Sequence, residues 1–82
     1  MNKYLVVEVF EREVCSVTKC DTLDEAIATA NRLLQDHIRF INYVAEFGNG
    51  EGVDGKWQPA TAERHNAWCN WRGDWDAYIV QC

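Results

Sequence analysis

The sequence predicts a small α+β domain, in which an antiparallel sheet of three strands, or four, carries one main helix on one face, in the order β-β-α-(β)-β. Three features lead to this prediction: an apolar, β-branched opening at 3–10, a capped amphipathic segment after Thr22, and an alternating stretch at 74–80. Because a hairpin alone is marginally stable in water, we expect the last strand to join the first two. The 82 residues leave room for a single domain, 1–82.

The first predicted strand, KYLVVEVF, has two faces of different character. One face carries Leu5, Val7 and Val9, and the other carries Tyr4, Val6, Glu8 and Phe10. Because one face is fully apolar and the other mostly so, a central position in the sheet suits this strand. A polar turn, EREV, and a returning strand at 14–19 complete a hairpin. We expect the turn to be a solvated tip that carries Glu8, Glu11 and Glu13.

The strongest local signal is the helix after this hairpin. Thr22 and Glu25 have the spacing of a capping box, and apolar residues then recur with the period of one helix face. The pattern predicts a helix to about residue 37. Beyond it, a second apolar stripe leaves open whether the last turns pack on two sides or bend away; the stripe consists of Phe40, Tyr43 and Phe47. The run Gly48-Asn49-Gly50 predicts the stop, inside a loop.

The remainder of the chain predicts one clear strand and two weaker elements. KWQPA at 56–60 is a candidate fourth strand at an edge, and TAERHNAW at 61–68 is a candidate turn of helix. In the final strand one face is predicted to be core, and it carries Trp75, Ala77 and Ile79. The other face carries Asp74, Asp76 and Tyr78. We interpret the two aspartates as polar residues that keep the outer face of an edge strand in water.

Charge and hydropathy disfavour several functions. The net charge is −5, and residues 1–55 hold ten carboxylates against five Lys or Arg, so the composition disfavours direct nucleic-acid binding. The longest apolar runs are four residues, far short of the ~20 that a membrane helix needs. With no export signal recognised, we expect a cytoplasmic protein without membrane association. Its cysteines are then expected to be reduced thiols, at Cys15, Cys20, Cys69 and Cys82.

The most distinctive stretch is NAWCNWRGDWDAYIV at 66–80, which holds three of the four tryptophans. We expect Trp75 in the core and the tryptophans of the preceding irregular segment to be partly exposed. Tryptophan is over-represented among residues that dominate interface energies. The leading hypothesis is therefore a non-enzymatic protein-interaction or ligand-binding module, with candidate binding residues Trp68, Trp71, Trp57 and Arg72. The competing interpretation is that these aromatic residues complete the core of a small domain.

Two other functions remain as alternatives. An acidic inhibitor or nucleic-acid mimic would block a basic groove with Glu8, Glu11, Glu13 and the carboxylates of 46–54. A small thiol or metal-dependent enzyme would use Cys69 and His65, with Asp74 or Asp76. The spacings of cysteine and histidine do not match the paired ligands of structural zinc sites, and no local signature of a nucleophilic enzyme occurs. We therefore predict no catalytic residue, no metal ligand and no cofactor.

Two stretches together, DTLDEAIATANRLL and NAWCNWRGDWDAYIV, resemble a family of small uncharacterised bacterial proteins of about this length. Those proteins join a strand hairpin and a TLxEAIxxAN helix to a tryptophan-rich tail that ends in WDAYIV. The resemblance covers most of the chain. It implies a compact bacterial, cytosolic domain and supplies no activity. A protein partner and a homodimer, formed through an exposed edge of the 14–19 strand, both remain open.

Overall fold

One helix and an antiparallel sheet of five strands make up the described part of the chain. The computed structural model describes residues 3–46, 57–70 and 73–82, with side chains of the first range described to Phe40. The sheet order is β2-β1-β5-β4-β3. The elements are β1 Tyr4–Phe10, β2 Glu13–Cys20, α1 Leu23–Glu46, β3 Trp57–Gln58, β4 Asn66–Cys69 and β5 Trp75–Gln81.

The α+β class is confirmed, and so are the placement of α1 on one face and the pairing of the last strand with the hairpin. The predicted number of strands was wrong, because Asn66–Cys69 forms β4 where a turn of helix was expected. This strand pairs with β3 on one side and β5 on the other. Since β5 lies between β1 and β4, the interpretation of the final strand as an edge strand was also wrong.

The helix begins as predicted and continues further. The Glu25 N–H donates to Thr22 Oγ1 at 3.1 Å, which confirms the cap. The Glu25 carboxylate accepts from the Asp21 N–H at 3.1 Å, one residue earlier than in the usual capping box. α1 runs to Glu46 as one helix, so the turns beyond residue 37, whose course the pattern left open, continue it. Phe40 is exposed, while the Tyr43 and Phe47 side chains and the predicted stop at 48–50 lie outside the described residues.

The core lies between α1 and one face of the sheet. That face includes Val6 of β1, which is fully buried, and Trp75 of β5, which is 1% exposed. The core prediction for the alternate residues of β5 is confirmed. Buried side chains of α1 cover this face, and they are Ala26, Ala30, Leu34 and Ile38. The apolar face of α1 thus packs on the faces of β1 and β5 that carry alternate buried residues, as the sequence pattern predicts.

Glu8 does not belong to a solvated tip, so that expectation was wrong. The side chain is half-buried on the helix side of β1. Its carboxylate accepts hydrogen bonds from Trp75 Nε1 and from Ser16 Oγ, both at 2.9 Å. A buried carboxylate is tolerated when such donors replace water. β1 is therefore a central strand as predicted, but the face that packs on α1 is the one that carries a charge.

The β1–β2 turn has two residues with positive φ, Glu11 at 53° and Arg12 at 69°. Two positive-φ residues give the turn the twist that a hairpin favours, although neither is glycine. The Glu11 N–H donates to Asp74 O at 2.9 Å, which ties the turn to the start of β5. Gly73 has φ +128°, and a Cβ there would meet the Glu11 side chain and lie 3.1 Å from the Phe10 ring. The positive φ is what favours glycine at this position.

Candidate binding site on the open face of the sheet

The face of the sheet opposite α1 is mostly apolar. We call it the open face, and its apolar side chains are Leu5, Val7, Val9, Val14, Val17, Trp68, Tyr78 and Val80. The strand register places them in rows; for example, Val7 lies between Val17 of β2 and Tyr78 of β5. Because paired residues share a face of a sheet, these side chains form one continuous surface over four strands.

Four of these side chains are strongly exposed: Val14 by 63%, Val17 by 54%, Tyr78 by 44% and Val80 by 46%. Scattered apolar residues on a protein surface are ordinary, but a contiguous patch marks an interaction site or a ligand groove. No described element covers this patch. The open face is therefore the strongest candidate for a binding surface within the described residues.

A pocket of about 290 Å³ lies at the end of the open face nearest the hairpin turn. Strand register builds its centre, because Trp68 pairs with Asp76 and Asn66 pairs with Tyr78 across β4 and β5. Trp68 of β4 and Tyr78 of β5 are therefore diagonal neighbours, and both lie next to the Asp76 carboxylate. The lining residues are Val9, Arg12, Trp68, Cys69, Asn70, Asp74, Trp75, Asp76 and Tyr78.

Asp76 is held in place by its neighbours. Asn66 Nδ2 donates to Asp76 Oδ1 at 3.2 Å and to Ala67 O at 3.1 Å. Partial burial, and then the neighbouring Asp76 side chain, raise the pKa of Tyr78. The Asp76 carboxylate gives this end of the open face a negative centre.

The predicted binding residues do not form one platform. Trp68 lies half-buried on the open face, whereas Trp57 pairs with Cys69 on the helix side and packs against the core. Trp71 and Arg72 lie outside the described residues. The assignment of these four residues to a binding site stays a prediction. Val9 and Arg12 also line the pocket, and no sequence signal points to them because neither residue is near Trp68 in the chain.

The residues of the two alternative functions are also separated. Cys69 is fully buried, while the ring of His65 is exposed and lies 3.0 Å from Ala62 O through Nε2. Four residues of extended chain separate the two by about 13 Å. In the described ranges no three His, Cys, Asp or Glu side chains are placed to hold a metal ion. Of the acidic cluster, Glu11 and Glu13 are exposed and Glu8 is turned toward α1; residues 47–54 lie outside the described part.

A second group of titratable side chains, His37 and Glu8, lies under α1, and no sequence pattern pointed to it. The ring of His37 stacks on Trp75, with centroids 5.2 Å apart and planes 12° apart, and the Phe10 ring lies 5.2 Å from it, tilted by 59°. His37 Nε2 is shielded from solvent and has no hydrogen-bond partner among the described residues. Burial lowers the pKa of His37, and the charge of Glu8 opposes that effect. The neutral ring therefore acts as a packing element.

Comparison of the chain with protein-family models, with curated proteins and with solved structures gave no match. The resemblance to a bacterial family accordingly stays a prediction. No helix within 3–46, 57–70 and 73–82 combines the length and the apolar character that a membrane crossing requires. All four cysteines are free thiols, of which Cys15 and Cys82 are exposed.

Proposed function

We propose that the chain is a non-enzymatic protein-interaction module that binds a partner protein across the open face. The observation that carries this proposal is the exposure of a contiguous apolar surface on three neighbouring strands, from Val17 through Val7 to Tyr78. Transfer of apolar surface from water to a partner is favourable by about 25 cal/mol per Å². Half-exposed valines and a tyrosine can therefore supply binding energy without a change of fold.

The size of the open face supports a weak or moderately tight complex. With strands about 4.8 Å apart and a rise of about 3.3 Å per residue, the five strands have a planar footprint of about 450 Å². Side chains that project from the plane raise the accessible area above this value. A specific interface buries about 800 Å² on each partner. A partner that covers the open face and its rim would reach this range.

The net charge of the chain favours the binding of a different protein over the binding of a second copy of the same chain. Each copy carries a net charge of −5, so two copies repel one another at low ionic strength. The pocket adds a local negative centre at Asp76 within the face itself. A partner whose apolar surface carries positive charge complements both properties, and electrostatic complementarity of this kind selects partners and speeds association.

Site-specific photo-crosslinking in cells that express the protein tests this proposal. A p-benzoylphenylalanine is placed at Val17 or Val80 on the open face, and at Ala28 or Gln35 on the exposed side of α1 as matched controls. We expect one identified protein to be captured from both open-face positions and from neither control position. The purified protein should then bind the purified chain, and Val17→Asp should weaken that complex at least about 10-fold.

Two results would contradict the proposal. Capture of the same proteins from both sides of the molecule would mean that the open face is not a selective surface. Capture of a second copy of the chain alone would replace the partner with a homodimer. Circular dichroism of each substituted chain checks that the fold is retained, which we expect because all four positions are exposed.

A further inference from the structure

We propose that the pocket at the hairpin end of the open face receives a basic side chain, a lysine or an arginine, of the partner protein. This inference rests on the proposed function, since it names the part of the partner that enters this site. Three properties of the pocket lead to it: aromatic walls, a fixed carboxylate, and an apolar floor next to open solvent.

The side chains that line the pocket can contact both the charged group and the alkyl stem of a lysine or arginine. Trp68 and Tyr78 stand on adjacent strands, diagonal to one another across the pairs Trp68–Asp76 and Asn66–Tyr78. Side chains in this relation are within reach of a common ligand group. A cation within about 6 Å of an aromatic ring is attracted by its face, most strongly by tryptophan. Val9 offers apolar surface to the methylene groups that a lysine or arginine buries beneath its charge.

The carboxylate of Asp76 gives the pocket its preference for positive charge. The hydrogen bond from Asn66 Nδ2 to Asp76 Oδ1 orients the carboxylate. A carboxylate offers about four acceptor positions, so this bond leaves room for an ammonium or guanidinium donor. Asp74 adds a second, exposed carboxylate at the rim. A cation in the pocket would therefore contact an ionised group that is already oriented, which reduces the entropic cost of binding.

Arg12 lines the same pocket and competes with such a ligand. Among the described side chains the ion pair that forms is Asp36–Arg39 on α1, so Arg12 is paired with neither Asp74 nor Asp76. Among the described residues that line the pocket, two carboxylates against one guanidinium give a net negative charge. We expect Arg12→Gln to strengthen the binding of a basic side chain, because it removes a repulsive charge and retains a polar residue in the turn.

The test uses three defined probes and the whole chain labelled with ¹⁵N. The tripeptide acetyl-Val-Lys-Val-amide is compared with acetyl-Val-norleucine-Val-amide, which keeps the alkyl stem without its charge, and with n-butylammonium. The readout is the indole N–H resonance of Trp68. We expect the lysine tripeptide to shift this resonance and to bind at least about 5-fold more tightly than the norleucine tripeptide. An increase of NaCl from about 0.05 M to 0.5 M should weaken the lysine tripeptide selectively.

Two matched variants test whether binding of the lysine tripeptide depends on the carboxylate in the pocket. Asp76→Asn removes the central charge with little change of shape, and Asp36→Asn removes the same charge from the exposed side of α1. We expect Asp76→Asn to weaken binding of the lysine tripeptide about 5-fold and Asp36→Asn to leave it unchanged within about 2-fold. Equal effects of the two variants, or equal binding of the lysine and norleucine tripeptides, would overturn the inference.

The outcomes also separate this inference from the proposed function. If n-butylammonium binds as tightly as the lysine tripeptide, the pocket is a site for free amines and its assignment to a partner side chain is wrong. If crosslinking captures a partner from the open face while the probes show no preference for charge, the proposed function stands and the pocket inference fails. If the probes behave as expected and no partner is captured, the pocket binds cations and the assignment to a protein partner fails.

Discussion

Substitution of Asn31 tests how the short strands are held against the helix. Asn31 Nδ2 donates to Ala60 O at 3.0 Å, and the Ala60 N–H donates to Asn31 Oδ1 at 2.7 Å. Ala60 is 3% exposed, so Asn31→Ala leaves both of its backbone groups buried without these partners. Each such group costs about 1–3 kcal/mol, which predicts a loss of about 2–6 kcal/mol in the free energy of unfolding. That is a large part of the ~5–15 kcal/mol that stabilises a typical domain.

Urea unfolding followed by tryptophan fluorescence measures this loss. Gln35→Ala, at an exposed position one helical turn along α1, is the matched control and should change stability by less than about 0.5 kcal/mol. Asn31→Asp should be destabilising as well, because it keeps the acceptor for the Ala60 N–H and places an oxygen against Ala60 O. An Asn31→Ala variant as stable as the Gln35→Ala control would refute the conclusion that this pair of hydrogen bonds anchors the segment before β4.

Three further perturbations test the fold. Leu34→Ala should cost about 2–5 kcal/mol of unfolding free energy because the side chain is fully buried, whereas Val17→Ala should change it by less than about 1 kcal/mol. Thr22→Ala should cost about 1 kcal/mol of unfolding free energy through loss of the helix cap. Urea unfolding measures the change in all three variants. Because the pKa of His37 is lowered on folding, the unfolded chain binds more protons, so stability should fall as pH drops below about 6.5. Thermal melts from pH 7.5 to 5 should show that His37→Gln reduces this dependence and that the non-titrating control Gln35→Ala does not.

The sequence could predict the helix and the first hairpin because their signals are local. The capping pair Thr22 and Glu25 and the apolar period fix where α1 begins. The two faces of β1 could also be separated by alternation alone. Which face packs on α1 could not be predicted, since the choice depends on Glu8 finding Trp75 Nε1, 67 residues away in the chain. The Glu8 carboxylate, which would ordinarily face solvent, instead accepts a hydrogen bond from this residue that is distant in the sequence.

The candidate site was predictable only in part, for a similar reason. Alternation places Asp76 and Tyr78 on one face of the last strand, and the tryptophan-rich stretch drew attention to Trp68. Their meeting depends on β4, a strand of four residues, which is too short to produce a clear alternating pattern. Without β4 the last strand was interpreted as an edge, and its aspartates as protection from aggregation. The register of β4 with β5 instead places Asp76 beside two aromatic side chains.

The most direct test of the account is the solvent accessibility of valine methyl groups on the two faces of the sheet. A soluble, neutral gadolinium chelate enhances the relaxation of methyl resonances in proportion to their exposure. We predict strong enhancement at Val17 and Val80, which are 54% and 46% exposed, and very little at Val6, which is fully buried. Protection of Val17 and Val80 to the level of Val6 in the isolated protein would mean that the open face is already covered, and the proposed binding surface would then be wrong.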